Sequence, residues 1–230
     1  MGPGRPKARL ALDITWLGHA AFRVKSGTSS VLMDPFSKSL GLQIPPQHAL
    51  ASVVTVSSDA PHQSAVDAVA EDALPVVFRG PGEYEAAGVR LKAIRTSRHS
   101  AEPDEEATNI VFLLDTEGIL VCHLGDPNRL LTNKEIEDLG SPQVLLLPIG
   151  SKEGLSPGDA VEMVNSISPK IVVPMLFAHP GNKAELREAS DFLKELGAKA
   201  PEVLPRLSVT RGTLPEETQL VMLQPAGKPL

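Results

Sequence analysis

From residue 14 onward the chain alternates short apolar runs with Gly, Pro, Asn and Asp, a pattern of many short strands broken by turns. Residues 14–17, 21–25, 30–33, 53–57, 76–79 and 89–96 read as β-type. Residues 109–115, 119–123, 144–148, 171–175, 207–210 and 219–223 continue the series, now interleaved with helices. Three helix starts are signalled: Thr132 with Glu135 three residues on, Ser156 followed by Pro157, and Asn182 followed by Glu185. Leu186, Ala189, Leu193 and Leu196 then recur at helical spacing, with Gly197 placed to end the helix, so this face should pack on a sheet. About a dozen strands with late-arriving helices predict two sheets covered by helices rather than a doubly wound parallel sheet.

Composition narrows the class. The 230 residues are 42% apolar, ample for a substantial core. Residues 1–11 are rich in Pro, Gly and basic side chains and read as a flexible N-terminal tail, with residues 12–230 as one domain. The Pro-rich Ile44-Pro-Pro-Gln-His48 reads as a surface turn more readily than as a boundary. One Cys excludes a disulfide framework and a thiolate-built zinc finger. A net charge of −6 with no long basic run argues against a nucleic-acid partner. No apolar stretch approaches the roughly 20 residues that span a bilayer, and the N-terminus carries no apolar signal-peptide core. A cytoplasmic protein away from membranes is expected, with a small molecule or a protein as partner and an oligomeric state that stays open.

The segment Ile14-Thr-Trp-Leu-Gly-His-Ala-Ala-Phe22, followed by Val31-Leu-Met-Asp-Pro35, resembles the opening of metal-dependent hydrolases of the metallo-β-lactamase superfamily, related to its L-ascorbate-6-phosphate lactonase branch. Gly80-Pro-Gly-Glu-Tyr-Glu85, Cys122-His-Leu-Gly-Asp126, Pro169-Lys-Ile-Val-Val-Pro-Met175 and Leu214-Pro-Glu-Glu-Thr218 are similar to successive landmarks of the same family. Each string alone is weak, and their order and spacing make the match. The resemblance implies a four-layer αββα sandwich of two mixed β-sheets flanked by helices.

It also implies a His-x-His-x-Asp-His loop after a strand, holding two metals that activate a bridging water. Here the matching positions read Ser58, Ala60, His62 and Gln63. The His of a later Pro-Met-His reads Leu176. His99 and Asp126 stand unchanged at their places, so four ligand positions offer no imidazole or carboxylate and a fifth has changed type. His62, His99 and Asp126 together have the composition of a two-His, one-carboxylate site for a single zinc, manganese or iron ion. The alternative is no metal at all, with His99 and Asp126 as hydrogen-bonding residues of a cleft kept for binding. Whether the chain is an enzyme stays open: it is expected to be a binding or scaffolding protein without the usual di-metal activity. The other reading is a single-metal hydrolase of a lactone, ester or phosphorylated small molecule.

His19, Asp34, Asp59 and Glu83 are further candidates for the pocket. His19 reads equally as a structural histidine, Asp34 as a turn initiator before Pro35, and Glu83 as an exposed turn residue. His123 reads as a supporting or core residue, and Cys122 as a small buried one. His179 could compensate for Leu176 only if its loop is remodelled. Ser57, Ser58 and His62 would allow a Ser/His pair, but no nucleophile elbow, phosphate loop or dinucleotide fingerprint occurs.

Overall fold

The computed structural model describes residues 10–69, 74–98 and 108–230. The first half forms β1 (Leu12–Gly18), β2 (Ala21–Ser26), β3 (Ser29–Met33), β4 (Leu42–Gln43), the one-turn α1 (Pro46–Ala49), β5 (Val53–Thr55), β6 (Val76–Phe78), β7 (Gly82–Ala86) and β8 (Val89–Ser97). Next come β9 (Thr108–Thr116), β10 (Ile119–His123), α2 (Asn133–Leu139), β11 (Val144–Pro148), α3 (Pro157–Ile167), β12 (Ile171–Met175) and α4 (Ala189–Leu196). The chain closes with β13 (Val203–Leu204), β14 (Leu207–Val209), β15 (Gln219–Leu220), β16 (Met222–Leu223) and β17 (Lys228–Pro229).

One sheet has the order β14-β1-β2-β3-β5-β6 and the other β15-β12-β11-β10-β9-β8-β7, both mixed. The alternation of side chains along each strand divides the first sheet cleanly. Ile14, Trp16, Phe22, Val24, Val31, Met33 and Val53 point into the main core, shared with Val121, Phe112 and Leu114 of the second sheet. Leu17, Ala21, Leu32 and Val54 point the other way, into a second cluster closed by Phe36, Leu42, Ile44 and Ala49. Strands buried on both faces, such as Val144-Leu-Leu-Leu-Pro148, read as unbroken apolar runs for this reason. Met163 and Val164 of α3 and Phe192 of α4 belong to the main core, so these helices cover the second sheet's outer face. The four-layer αββα sandwich expected from the sequence is present.

Two helix starts lie where they were expected. Thr132 and Ser156 each accept the backbone N–H three residues ahead in a full capping box, and Gly197 ends α4 in the left-handed conformation. The start at Asn182 is not observed. Its carboxamide oxygen accepts the Ala184 N–H at 2.6 Å in a local turn, and Leu186 forms a bridge with Ser151. Arg187 N–H then donates to Gly150 O, so this stretch is held as an extended flap and the helix waits until Ala189. Residues 219–223 also differ: they divide at Val221 into β15, parallel to β12, and β16, parallel to β13. Gly80 and Pro81 form a bend, and Glu83, expected as an exposed turn residue, lies instead in the edge strand β7. Residues 1–9 of the expected tail lie outside the described residues.

Candidate ligand cleft

Strand pairing gathers the candidate chemistry at one end of the sandwich. β3 and β5 run parallel, as do β10, β11 and β12, so the loops leaving them emerge together. Asp34 follows β3, Ser57 and His62 follow β5, Asp126 follows β10, Ser151 follows β11 and Leu176 follows β12. His19 joins them from the β1–β2 turn, where its carbonyl accepts both the Trp16 indole N–H and the Leu176 N–H at 3.0 Å. His19, Asp34 and Leu176 all have positive φ, between 47° and 53°. For a residue as bulky as Leu this is a strained conformation, held only where the surroundings over-determine it, and such strain concentrates at functional sites.

Asp34 is the first hub. Fully buried, it accepts the Ser57 N–H on Oδ1 at 2.8 Å and the Gln63 Nε2–H on Oδ2 at 2.9 Å. Burial pushes its carboxyl pKa up in spite of these bonds. Gln63, equally buried, accepts the Ser58 hydroxyl on Oε1 at 2.6 Å, which fixes its amide orientation. His123 Nδ1 lies 3.8 Å from Asp34, but that nitrogen accepts the Gly125 N–H at 3.1 Å while Nε2 reaches Ala20 O at 2.8 Å. His123 is therefore the Nε2–H tautomer, and its contact with Asp34 is not an ion pair.

Asp126 is the second hub. Its N–H donates to Asn109 Oδ1 at 2.8 Å, and Asn109 Nδ2 donates to Leu124 O and Thr96 Oγ1. Asp126 Oδ2 accepts the Ser151 hydroxyl at 2.9 Å, while His62 Nε2 and an Arg98 guanidinium nitrogen each lie 3.7 Å from it. The carboxylate is only 3% exposed, so both cationic and imidazole neighbours act through little water. Asp126 Oδ1 has no hydrogen-bond partner among the described residues, and neither has His62 Nε2.

A histidine pair closes the other side. The rings of His19 and His179 lie 5.8 Å apart, and His179 also packs edge-on against Trp16, itself stacked on Phe177 at 4.8 Å. Burial lowers the His19 pKa to about 3, helped by the nearby His179 and His62, and an approach by the Leu40 carbonyl offsets only part of this. Burial lowers the His179 pKa too. His19 is thereby held neutral, a ring with both nitrogens short of partners at hydrogen-bond geometry.

Of the residues proposed from sequence, the fold brings together His19, Asp34, His62 and Asp126, with His179 beside them. His99 lies outside the described residues. Asp59 stands away from the cleft with its side chain fully exposed, 3.6 Å from Arg79. Glu83 is exposed on β7 opposite Lys92 and lines a separate groove with Leu113 and Asp138. Sequence reasoning missed Arg98, Asn109 and Ser151, which owe their places to tertiary contacts. Asn109, a polar residue opening the apolar strand β9, was the one legible signal.

At the matched ligand positions, Ala60 and Leu176 carry no donor atom, and the Ser58 hydroxyl donates to Gln63, whose amide in turn donates to Asp34. Among the described residues no three His, Cys, Asp or Glu side chains come together as a set able to hold a metal ion. Nor, among them, is any helix long and apolar enough to cross a membrane.

Known proteins fit this architecture. A metal-dependent hydrolase from Archaeoglobus fulgidus is 28% identical over 221 residues, covering 84% of this chain and 94% of the relative. A Thermotoga maritima structure, named for a proposed zinc-dependent hydrolase of the metallo-β-lactamase superfamily, superposes with a TM-score of 0.70 at 29% identity, covering 92% of this chain and 98% of the other. The metallo-β-lactamase fold protein YhfI from Bacillus subtilis shares the fold with a TM-score of 0.60 at 12% identity, covering 94% of this chain and 98% of its own. A family described as the beta-lactamase superfamily domain matches residues 13–176. The chain belongs to this superfamily, and the proteins it is similar to include ones named as metal-dependent hydrolases.

Proposed function

We propose that this chain is a binding protein on a hydrolase fold, holding a small molecule in the inherited cleft without a two-metal centre. The observation that carries this reading is the Arg98 guanidinium beside Asp126, the carboxylate that the family resemblance leaves unchanged at a metal-ligand position. A fixed cation there opposes a divalent metal at the same carboxylate, and Ser151 already occupies the facing lone pair. Ser58 and Gln63 support the reading, because their polar atoms are engaged with one another. Ala60 and Leu176 supply nothing to coordinate, so the described residues do not fit a di-metal site. The positive φ of Leu176, uncommon for a bulky residue, supports a retained use of this loop cluster.

The test is stoichiometric metal analysis of protein purified without chelator, with melting curves in zinc, manganese and iron(II). The proposal predicts sub-stoichiometric metal and no shift in Tm, since a ligand that binds only the native state must raise it. Stoichiometric metal would overturn it. One observation favours a second reading, a single-metal hydrolase: His62 and Asp126 converge to 3.7 Å with an unpartnered atom on each. That reading needs His99 as third ligand and predicts metal that disappears in His99→Ala.

A further inference from the structure

We infer that an open groove on the outer face of the first sheet binds the phosphoryl group of a dissolved small molecule, held by Arg23, Lys25, Thr28 and Ser52. The cleft is built on the loops that leave β3 and β5, whereas this groove is built on the residues that enter them. The two sites therefore fill independently.

Strand register builds the groove. Asp13 lies opposite Lys25, Thr15 opposite Arg23, and Lys25 opposite Ser30. Alternation sends Ile14, Val24 and Val31 into the main core, which leaves Asp13, Arg23, Lys25 and Ser30 on the outer face. Ser52 enters β5 beside them, its N–H donating to Ser30 O at 2.9 Å. Arg23, Lys25, Thr28, Ser30, Leu50 and Ser52 line a space of about 480 Å³, and among the described residues no carboxylate lines it.

One cation is aimed by its neighbours. Arg23 is half-buried, and its Nε–H donates to Ser30 Oγ at 3.1 Å while that hydroxyl donates to Leu50 O at 3.3 Å. This fixes the guanidinium and leaves its two terminal nitrogens without a partner among the described residues. Burial pulls the Arg23 pKa down, and Asp13 offsets only part of that. Asp13 itself accepts the Ser208 hydroxyl and lies 3.9 Å from Arg206, so it is shared among cations. The Arg23 charge also reaches His48, adding to the lowering of its pKa that burial causes. Arg23 has thus lost water without gaining a counterion in contact. Lys25, exposed, has no ion pair among the described residues, and the Thr28 and Ser52 hydroxyls have no hydrogen-bond partner there.

Donor capacity selects the ligand. A guanidinium and an ammonium can only donate, and the two free hydroxyls can do so too. The occupant must therefore be an anion rich in acceptors. Arg23 and Lys25 stand two residues apart on one face, about 7 Å between Cα atoms. A phosphoryl group carries about −1.5 to −2 charge at neutral pH and three terminal oxygens, so it meets a fork, an ammonium and a hydroxyl from different directions. A carboxylate has one charge and one plane, and the Arg23 fork alone saturates it.

Amide-resolved NMR of the full chain tests this at fixed ionic strength, with inorganic phosphate, glycerol 3-phosphate and acetate as probes. Saturable shifts at the Gly27, Thr28 and Ser52 amides are expected with both phosphates, at a Kd in the millimolar range or tighter, and not with acetate. Lys25→Gln removes an exposed charge and should raise Kd about fivefold with Tm unchanged. Arg23→Gln should abolish the shifts. An equal response to acetate, shifts that never saturate, or a Kd unaltered in Lys25→Gln would overturn the inference. So would cosedimentation with vesicles of phosphatidylcholine and phosphatidic acid in the absence of saturable binding of either soluble phosphate, because the groove would then read a lipid surface.

Discussion

Gln63 Nε2 donates to Asp34 Oδ2 at 2.9 Å, tying a residue at a family ligand position to a fully buried carboxyl. Because Oε1 takes the Ser58 hydroxyl, the amide is satisfied at both ends and turned away from metal chemistry. Gln63→Leu would leave Asp34 Oδ2 unpaired and should cost about 2 kcal/mol, within the usual range for a stranded buried acceptor. Gln63→His keeps an N–H for Asp34 and should cost less than about 1 kcal/mol. Urea unfolding measures both, and equal losses would show that the bond contributes nothing.

Arg98 provides the second prediction. If its guanidinium supplies the positive charge at Asp126, Arg98→Met should open the carboxylate to cations. Zinc should leave the Tm of the native chain unmoved and raise that of Arg98→Met by a few degrees, about 4 °C per 1 kcal/mol of linked binding or somewhat less for a chain of this size. A zinc response identical in the two proteins would contradict the role given to Arg98.

The depressed pKa of His19 predicts an acid sensitivity. Its pKa is about 3 in the fold against 6.5 for a free histidine, so between these values the unfolded chain binds the extra proton. Stability from neutral His19 is fully present above pH 6.5 and is lost as pH falls toward 3, at up to about 1.4 kcal/mol per pH unit. Asp34, whose pKa is raised, acts with the opposite sign, so the comparison is made against His19→Asn, which tolerates positive φ and does not titrate. Tm measured against pH should fall more steeply for the native chain than for this variant.

Two glycines separate conformational strain from site geometry. Gly197, at φ +67°, has open space where a Cβ would stand, and Gly197→Ala should cost about 1 kcal/mol from strain alone. Gly125, at φ +68°, would place a Cβ 2.1 Å from Asn109 Oδ1, the atom that anchors the Asp126 N–H. Gly125→Ala should therefore cost clearly more, about 2 kcal/mol or above, and weaken ligand binding as well. Denaturant unfolding ranks the two variants, and the reverse order would be inconsistent with this packing.

What the chain determines by itself is what depends on neighbours in sequence. The apolar alternation placed β10, β11 and β12 at their observed bounds, and Thr132 and Ser156 announced their helices because a capping box closes within three residues. His19, Asp34, His62 and Asp126 were legible as site candidates from motif order, and the fold assembles them. The tertiary structure alone decided the rest. Asn182 carried a local start signal, but pairing of Leu186 with Ser151 and of Arg187 with Gly150 held that stretch extended. Glu83 and Asp59 were polar residues beside real motifs, and only the strand edge and the loop direction turn them to solvent. Arg98, Asn109 and Ser151 meet Asp126 across 28, 17 and 25 residues of chain. Hydrogen bonds and charge contacts of that span leave no periodicity in a sequence, because they are fixed by how two sheets bring the ends of their strands together.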